Sequence, residues 1–168
     1  MSESYTQKAK QIISENLYLT ISVTTLTGDP WIANLFFACD QNYNFFWYSG
    51  VNSTHSQTIR ENREVAISIF NSTKVGEKVD AVYIKASAFE ISEKEELKDA
   101  LSVYSQKLLE TSFLSLQEEK VDFESKYNDF LPESGLRFYK ACPKKIWKLG
   151  PTKTFNEKYL DQKIEIDL

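Results

Sequence analysis

Histidine is nearly absent from this chain of 168 residues, and so are cysteine and methionine: His55, Cys39, Cys142 and Met1 are all there are. One imidazole, with neither thiol near it in sequence, cannot supply a spaced zinc set of the C-x-x-C or H-E-x-x-H kind. Two thiols in apolar surroundings fit a reducing compartment better than a disulfide framework. The five glycines are scattered, so there is no G-x-G-x-x-G, no G-x-x-x-x-G-K-[ST] and no G-x-S-x-G, and the commonest nucleotide-binding and hydrolase signatures are missing. No surplus of positive charge exists either. Twenty basic residues against 24 acidic ones leave a net charge of −4, which argues against nucleic acid as a partner. The longest apolar run, Trp31 to Cys39, is roughly half of the ~20 residues a spanning helix needs, and no basic, apolar, small-residue signal stands at the N-terminus. The expectation is a soluble, cytoplasmic protein with no membrane partner.

What the chain has in quantity is aromatic and aliphatic: 42% hydrophobic residues, among them 11 Phe, 9 Tyr and 3 Trp. That is enough for a sizeable core, and the length suits one domain over residues 1–168. Tyr5, Ala9, Ile12 and Ile13 recur at helical spacing. From Leu17 the period changes to two, with Leu19, Ile21 and Val23 alternating with Thr20, Ser22 and Thr24, and Gly28-Asp29-Pro30 supplies a turn. Trp31 to Cys39 is apolar on both faces apart from Asn34, so it reads as a strand covered on both sides, and Phe45 to Ser49 returns to complete a three-stranded meander.

Thr54 and Gln57 have the spacing of a capping box and open a short helix to Asn62. Val65 to Phe70 and Ala81 to Ile91 follow as strands. Leu97, Leu101, Tyr104 and Leu108 line one face of a long helix. Glu118 to Asp129 is ambiguous. Leu136 to Ala141 and Lys145 to Leu149 read as two short strands around Pro143, and Ile164 to Asp167 as an edge strand. With so few crossover helices the fold class is mainly β, an antiparallel barrel with peripheral helices.

The chemistry gathers where the aromatic strand meets the short helix. Ser49, Ser53, Thr54, His55, Ser56 and Thr58 offer hydroxyls and an imidazole at a helix N-terminus, whose free N–H groups and dipole favour an anion such as phosphate. The apolar strand and Phe45 to Tyr48 offer a wall for a planar ring. Ordinary helix caps and core aromatics account for the same residues more simply, with His55 as a solvated first-turn side chain. Arg60 and Arg63 face either an anion or solvent. Cys39, beside Phe36, Phe37 and Ala38, reads as inert packing, and Glu95 and Glu96 as complements to a helix dipole.

Taken in order, Leu17-Tyr18-Leu19-Thr20-Ile21-Ser22-Val23, Gly28 to Phe37, Phe46-Trp47-Tyr48-Ser49, Ser53 to Asn62 and Val65 to Ile69 resemble the pyridoxamine 5'-phosphate oxidase-like family of FMN-binding split barrels. The resemblance covers about half the chain. It implies an antiparallel split β-barrel of the FMN-binding type and FMN as cofactor. The stretch Ala33, Asn34, Leu35 and Phe36 would lie along the isoalloxazine, and Tyr48, Ser49, Ser53, Thr54, His55 and Thr58 would lie around the phosphate. His55 stands where the family usually has lysine or arginine. The family also implies a homodimer with its cofactor sites at the subunit interface, and an oxidoreductase acting on a small molecule. Its namesake reaction is not implied: Trp147-Lys148-Leu149-Gly150-Pro151 is followed by 17 residues without the substrate-binding arginine of an R-L-x-P ending. Two other readings stay open at this point, the same fold with haem or a deazaflavin, and a non-catalytic dimeric binding or sensing module.

Overall fold

The structure is a computed structural model that describes residues 2–75, 79–114, 116–151, 153–155, 158–160 and 162–168. Residues 76–78, in the loop expected over Asn71 to Asp80, and residues 152, 156, 157 and 161 of the tail lie outside that set.

Helix α1 (Ser2–Glu15) buries Ala9, Ile12 and Ile13. Strand β1 (Tyr18–Thr24) alternates as its sequence demands, with Leu19, Ile21 and Val23 inside the core. It turns through Gly28, whose φ of 93° suits the residue without a Cβ, into β2 (Pro30–Phe36). Then come β3 (Ala38–Cys39), β4 (Phe45–Gly50), α2 (Thr54–Glu61), β5 (Glu64–Phe70), β6 (Ala81–Glu90) and α3 (Lys94–Glu110). The chain continues with α4 (Gln117–Ser125), a 3-10 helix (Lys126–Phe130), β7 (Leu136–Leu149), the hairpin β8 (Lys153–Phe155) with β9 (Lys158–Leu160), and β10 (Lys163–Ile166).

Eight strands form one antiparallel sheet in the order β2-β1-β5-β6-β7-β4-β3, with β10 added alongside β7. The sheet curls into a half-barrel, and this is the expected split-barrel fold. Its two edge strands, β2 and β3, are separated in the chain by the single residue Phe37. The apolar run therefore does not form one strand. Its alternation persists, but its partner changes from β1 to β4, and Phe37, buried against Phe45, carries the chain from one edge to the other. The expected three-stranded meander is corrected accordingly: β4 pairs with β3 and β7, not with β2.

Two further expectations change. Leu136 to Leu149 is one strand of 14 residues. A register shift between Lys85 and Ala86 absorbs Pro143, which has no N–H for the ladder, by setting Lys145 opposite Lys85 and Pro143 opposite Ala86. At α2 the N-cap is Ser53, one residue before the expected Thr54, and no side chain caps the helix. The capping box does not form because the Ser53 hydroxyl is engaged by Ser56 and His55.

Two apolar clusters flank the sheet. The inner one joins α1 and Ile59 of α2 to Leu35, Trp47, Ile67, Ile84 and Tyr139. The outer one packs Leu97, Ala100, Leu101, Tyr104 and Leu108 of α3 on Phe46 and Phe138. Helix α2 thus covers one end of the inner face, against β1, β2 and β6.

Candidate functional site

Strand β4 and α2 are joined by a tight turn, in which the N–H of Ser53 donates to the carbonyl of Gly50 at 3.1 Å. That turn folds the first residues of the helix back over the end of the strand. His55 Nε2 lies 2.9 Å from Ser49 Oγ and 3.2 Å from Ser53 Oγ. Ser53 Oγ in turn donates to Ser56 Oγ at 2.8 Å. His55 is 8% exposed and Ser56 is fully buried, so the reading of His55 as a solvated side chain is corrected: the imidazole folds inward onto Ser49. Burial pulls its pKa below the usual histidine value, so at neutral pH it carries no charge.

A second polar group lies beside α2. The hydroxyl of Tyr139 is pushed up to about 12, above all by burial. Tyr139 sits opposite Glu90 in the β6–β7 register and donates to its Oε1 at 3.0 Å. Arg60 donates from Nε to the same oxygen at 2.5 Å. Tyr139 also stacks on Trp47, with centroids 5.6 Å apart and planes within 11°. The indole Nε1 of Trp47 is buried and finds no partner among the described residues.

The candidate residues separate by strand alternation. Ser49, Ser53 and His55 come together, with Thr54 exposed on the first turn of the helix and Thr58 buried one turn further along. Ala33 and Leu35 face the inner core, on the side α2 covers. Asn34 and Phe36 face the other way: Asn34 Oδ1 accepts from Thr20 Oγ1 at 2.7 Å, and Phe36 meets the rings of Tyr18 and Tyr104. Tyr48 points to the face of β4 opposite Ser49 and packs on Tyr104, Phe130 and Phe138.

Tyr139 and Glu90 were not legible as site residues. They lie 83 and 34 positions after Ser56, and only the barrel register brings them to α2. Cys39 is held as a thiol, pushed up to about 12 mainly by burial and secondarily by Asp40. It lines a cleft of about 800 Å³ with Lys10 and Lys107 that includes none of the cluster residues. Among the described residues no group of three His, Cys, Asp or Glu side chains is placed to hold a metal. None of the described helices is long and apolar enough to cross a membrane.

The donor set suits a phosphate. The first-turn N–H groups of α2 have no intrahelical acceptor and no side-chain cap, and the hydroxyls of Ser49 and Ser53 stand beside them with the imidazole.

No family model matches the chain, and no curated protein matches it in sequence. Solved structures do match it. A conserved hypothetical protein of Mycobacterium tuberculosis superposes with a TM-score of 0.67 at 12% identity, over 88% of this chain and 84% of that one. The haem storage protein HutZ of Vibrio cholerae gives 0.61 at 14%, over 84% and 92%. An FAD-binding protein of Mesorhizobium loti gives 0.59 at 12%, over 83% and 90%. The architecture shared with such structures is the split barrel of the pyridoxamine 5'-phosphate oxidase-like type. At these identities the likeness is one of fold.

Proposed function

We propose that this protein is an FMN-binding flavoprotein, a split-barrel oxidoreductase acting on a small molecule. The observation that carries the proposal is the cluster of Ser49, Ser53 and His55 at the uncapped start of α2, beside the inward-facing Ala33 and Leu35 of β2. The helix N–H groups and the Ser49 hydroxyl would hold the phosphate, with Ser53 and the imidazole orienting that hydroxyl, and the β2 edge would flank the ring system. The bound flavin supplies hydride or electron transfer, and the protein supplies position and access. With His55 neutral, phosphate binding rests on dipoles and hydroxyls and is weaker than a lysine at that position would make it.

A haem reading has support in the haem-storing neighbour and in His55 being the sole imidazole. The flavin reading is the better supported, because Nε2 of His55 is already turned onto Ser49 and Ser53. An absorption spectrum of the purified protein, followed by denaturation and identification of the released chromophore, decides. Released FMN supports the proposal. A Soret band, or a colourless protein that takes up no FMN, overturns it.

The same reading includes a homodimer. The sheet face away from the inner core carries Tyr18, Ile32 and Phe70 in the open, around small residues Ser22, Ala66 and Ser68. With Tyr83 and Trp147 these small residues line a groove of about 360 Å³. A second copy of the chain would cover it.

A further inference from the structure

The hydrogen bonds around His55 have a set direction. Ser53 donates its one hydroxyl hydrogen to Ser56. Its oxygen can then bond the imidazole only by accepting.

We infer that Ser56, acting through Ser53, fixes His55 as the tautomer whose Nε2 carries the proton, and so leaves the Ser49 hydroxyl hydrogen free for a ligand. The opposite tautomer would aim the Nε2 lone pair at an oxygen 3.2 Å away that has no hydrogen left to offer. With Nε2–H shared between Ser53 and Ser49, the Ser49 oxygen is an acceptor from the ring and its own hydrogen is unassigned within the cluster. Ser56 is a positioning residue. The tautomer assignment is independent of any cofactor; the use of the Ser49 hydrogen rests on the phosphate reading above.

Because His55 is the sole histidine, ¹⁵N-histidine labelling reports this ring alone. In FMN-free protein above pH 7 the expected spectrum has a pyrrole-type Nε2 and a pyridine-type Nδ1. Ser56→Ala removes the acceptor and frees the Ser53 hydrogen for the ring, so the Nδ1–H form should grow at the expense of the Nε2–H form. A wild-type ring protonated on Nδ1, or a folded variant with an unchanged tautomer ratio, overturns the inference. FMN titration separates the two layers. Ser49→Ala should weaken binding about tenfold, in keeping with one lost hydrogen bond to a charged group. Unchanged FMN affinity would overturn the role given to the Ser49 hydrogen, whereas wild-type protein that binds no FMN would remove the flavin reading and leave the ring assignment standing.

Discussion

His55 Nε2 stands 2.9 Å from Ser49 Oγ, across the turn that joins a strand end to a helix start. Among the described residues that contact makes one imidazole the only nitrogen side chain directly on the serine cluster, and it makes the cluster's charge depend on a group that burial keeps neutral. The consequences can be measured one at a time.

Replacing His55 by lysine places a permanent cation where the histidine is neutral. His55→Lys should bind FMN about tenfold more tightly than wild type at pH 8, and His55→Ala about tenfold more weakly, as expected of hydrogen bonds to charged groups. Flavin fluorescence quenching measures both. A lysine variant no tighter than wild type would place the phosphate elsewhere.

Acid should act on the free and the loaded protein in opposite ways. The His55 pKa is lowered in the folded state, so as pH falls below about 6.5 the unfolded chain takes up its proton first and stability declines until the folded pKa is passed. Above that window the contribution is fully present. Urea unfolding between pH 5 and 8 should show this slope in wild type and lose it in His55→Gln. Phosphate binding favours the imidazolium, so FMN affinity should rise over the same fall in pH.

Lys148 is 1% exposed and its ammonium pairs with Asp80, at the end of β7 farthest from α2. Losing either partner strands the other, but unequally: the Asp80 side chain is a third exposed and the lysine is not. Asp80→Asn should cost about 3 kcal/mol and Lys148→Met about 1 kcal/mol, since an unpaired buried charge is the larger penalty. Chemical denaturation gives both values, and the reverse order would refute the assignment.

A charged side chain placed at the centre of the small-residue groove should separate the subunits. Ala66 is exposed between Ser22 and Lys85 on the open sheet face. Light scattering should return twice 19.5 kDa for wild type and 19.5 kDa for Ala66→Arg. A monomeric wild type would end the dimer proposal.

The parts of the fold read correctly from the chain were those with an uninterrupted period. The alternation of Leu19, Ile21 and Val23, and the helical stripe of Leu97, Leu101, Tyr104 and Leu108, each reflect one buried face. Partner choice carries no such signal. Trp31 to Cys39 keeps its alternation while changing neighbours at Phe37, and Pro143 is tolerated because of a register shift that only the pairing with β6 reveals. At the site, the local cluster from Ser49 to His55 was visible because its members are close in sequence. Tyr139 and Glu90, which bond each other and Arg60 of α2, are brought there by strand pairing over tens of residues, and the pleat turns Tyr48 to the face away from the cluster.

Strand β7 also sets a timetable for biosynthesis. β4, complete by residue 50, has only the two-residue β3 beside it until residues 136–141 exist to pair with it, and β6, complete by residue 90, waits until residues 139–148 for its second neighbour. Over that interval the nascent chain presents Phe45 and Trp47 on a strand without its long partner and Ile84 and Ala88 on a strand paired on one side only, so closure of the sheet is a late step.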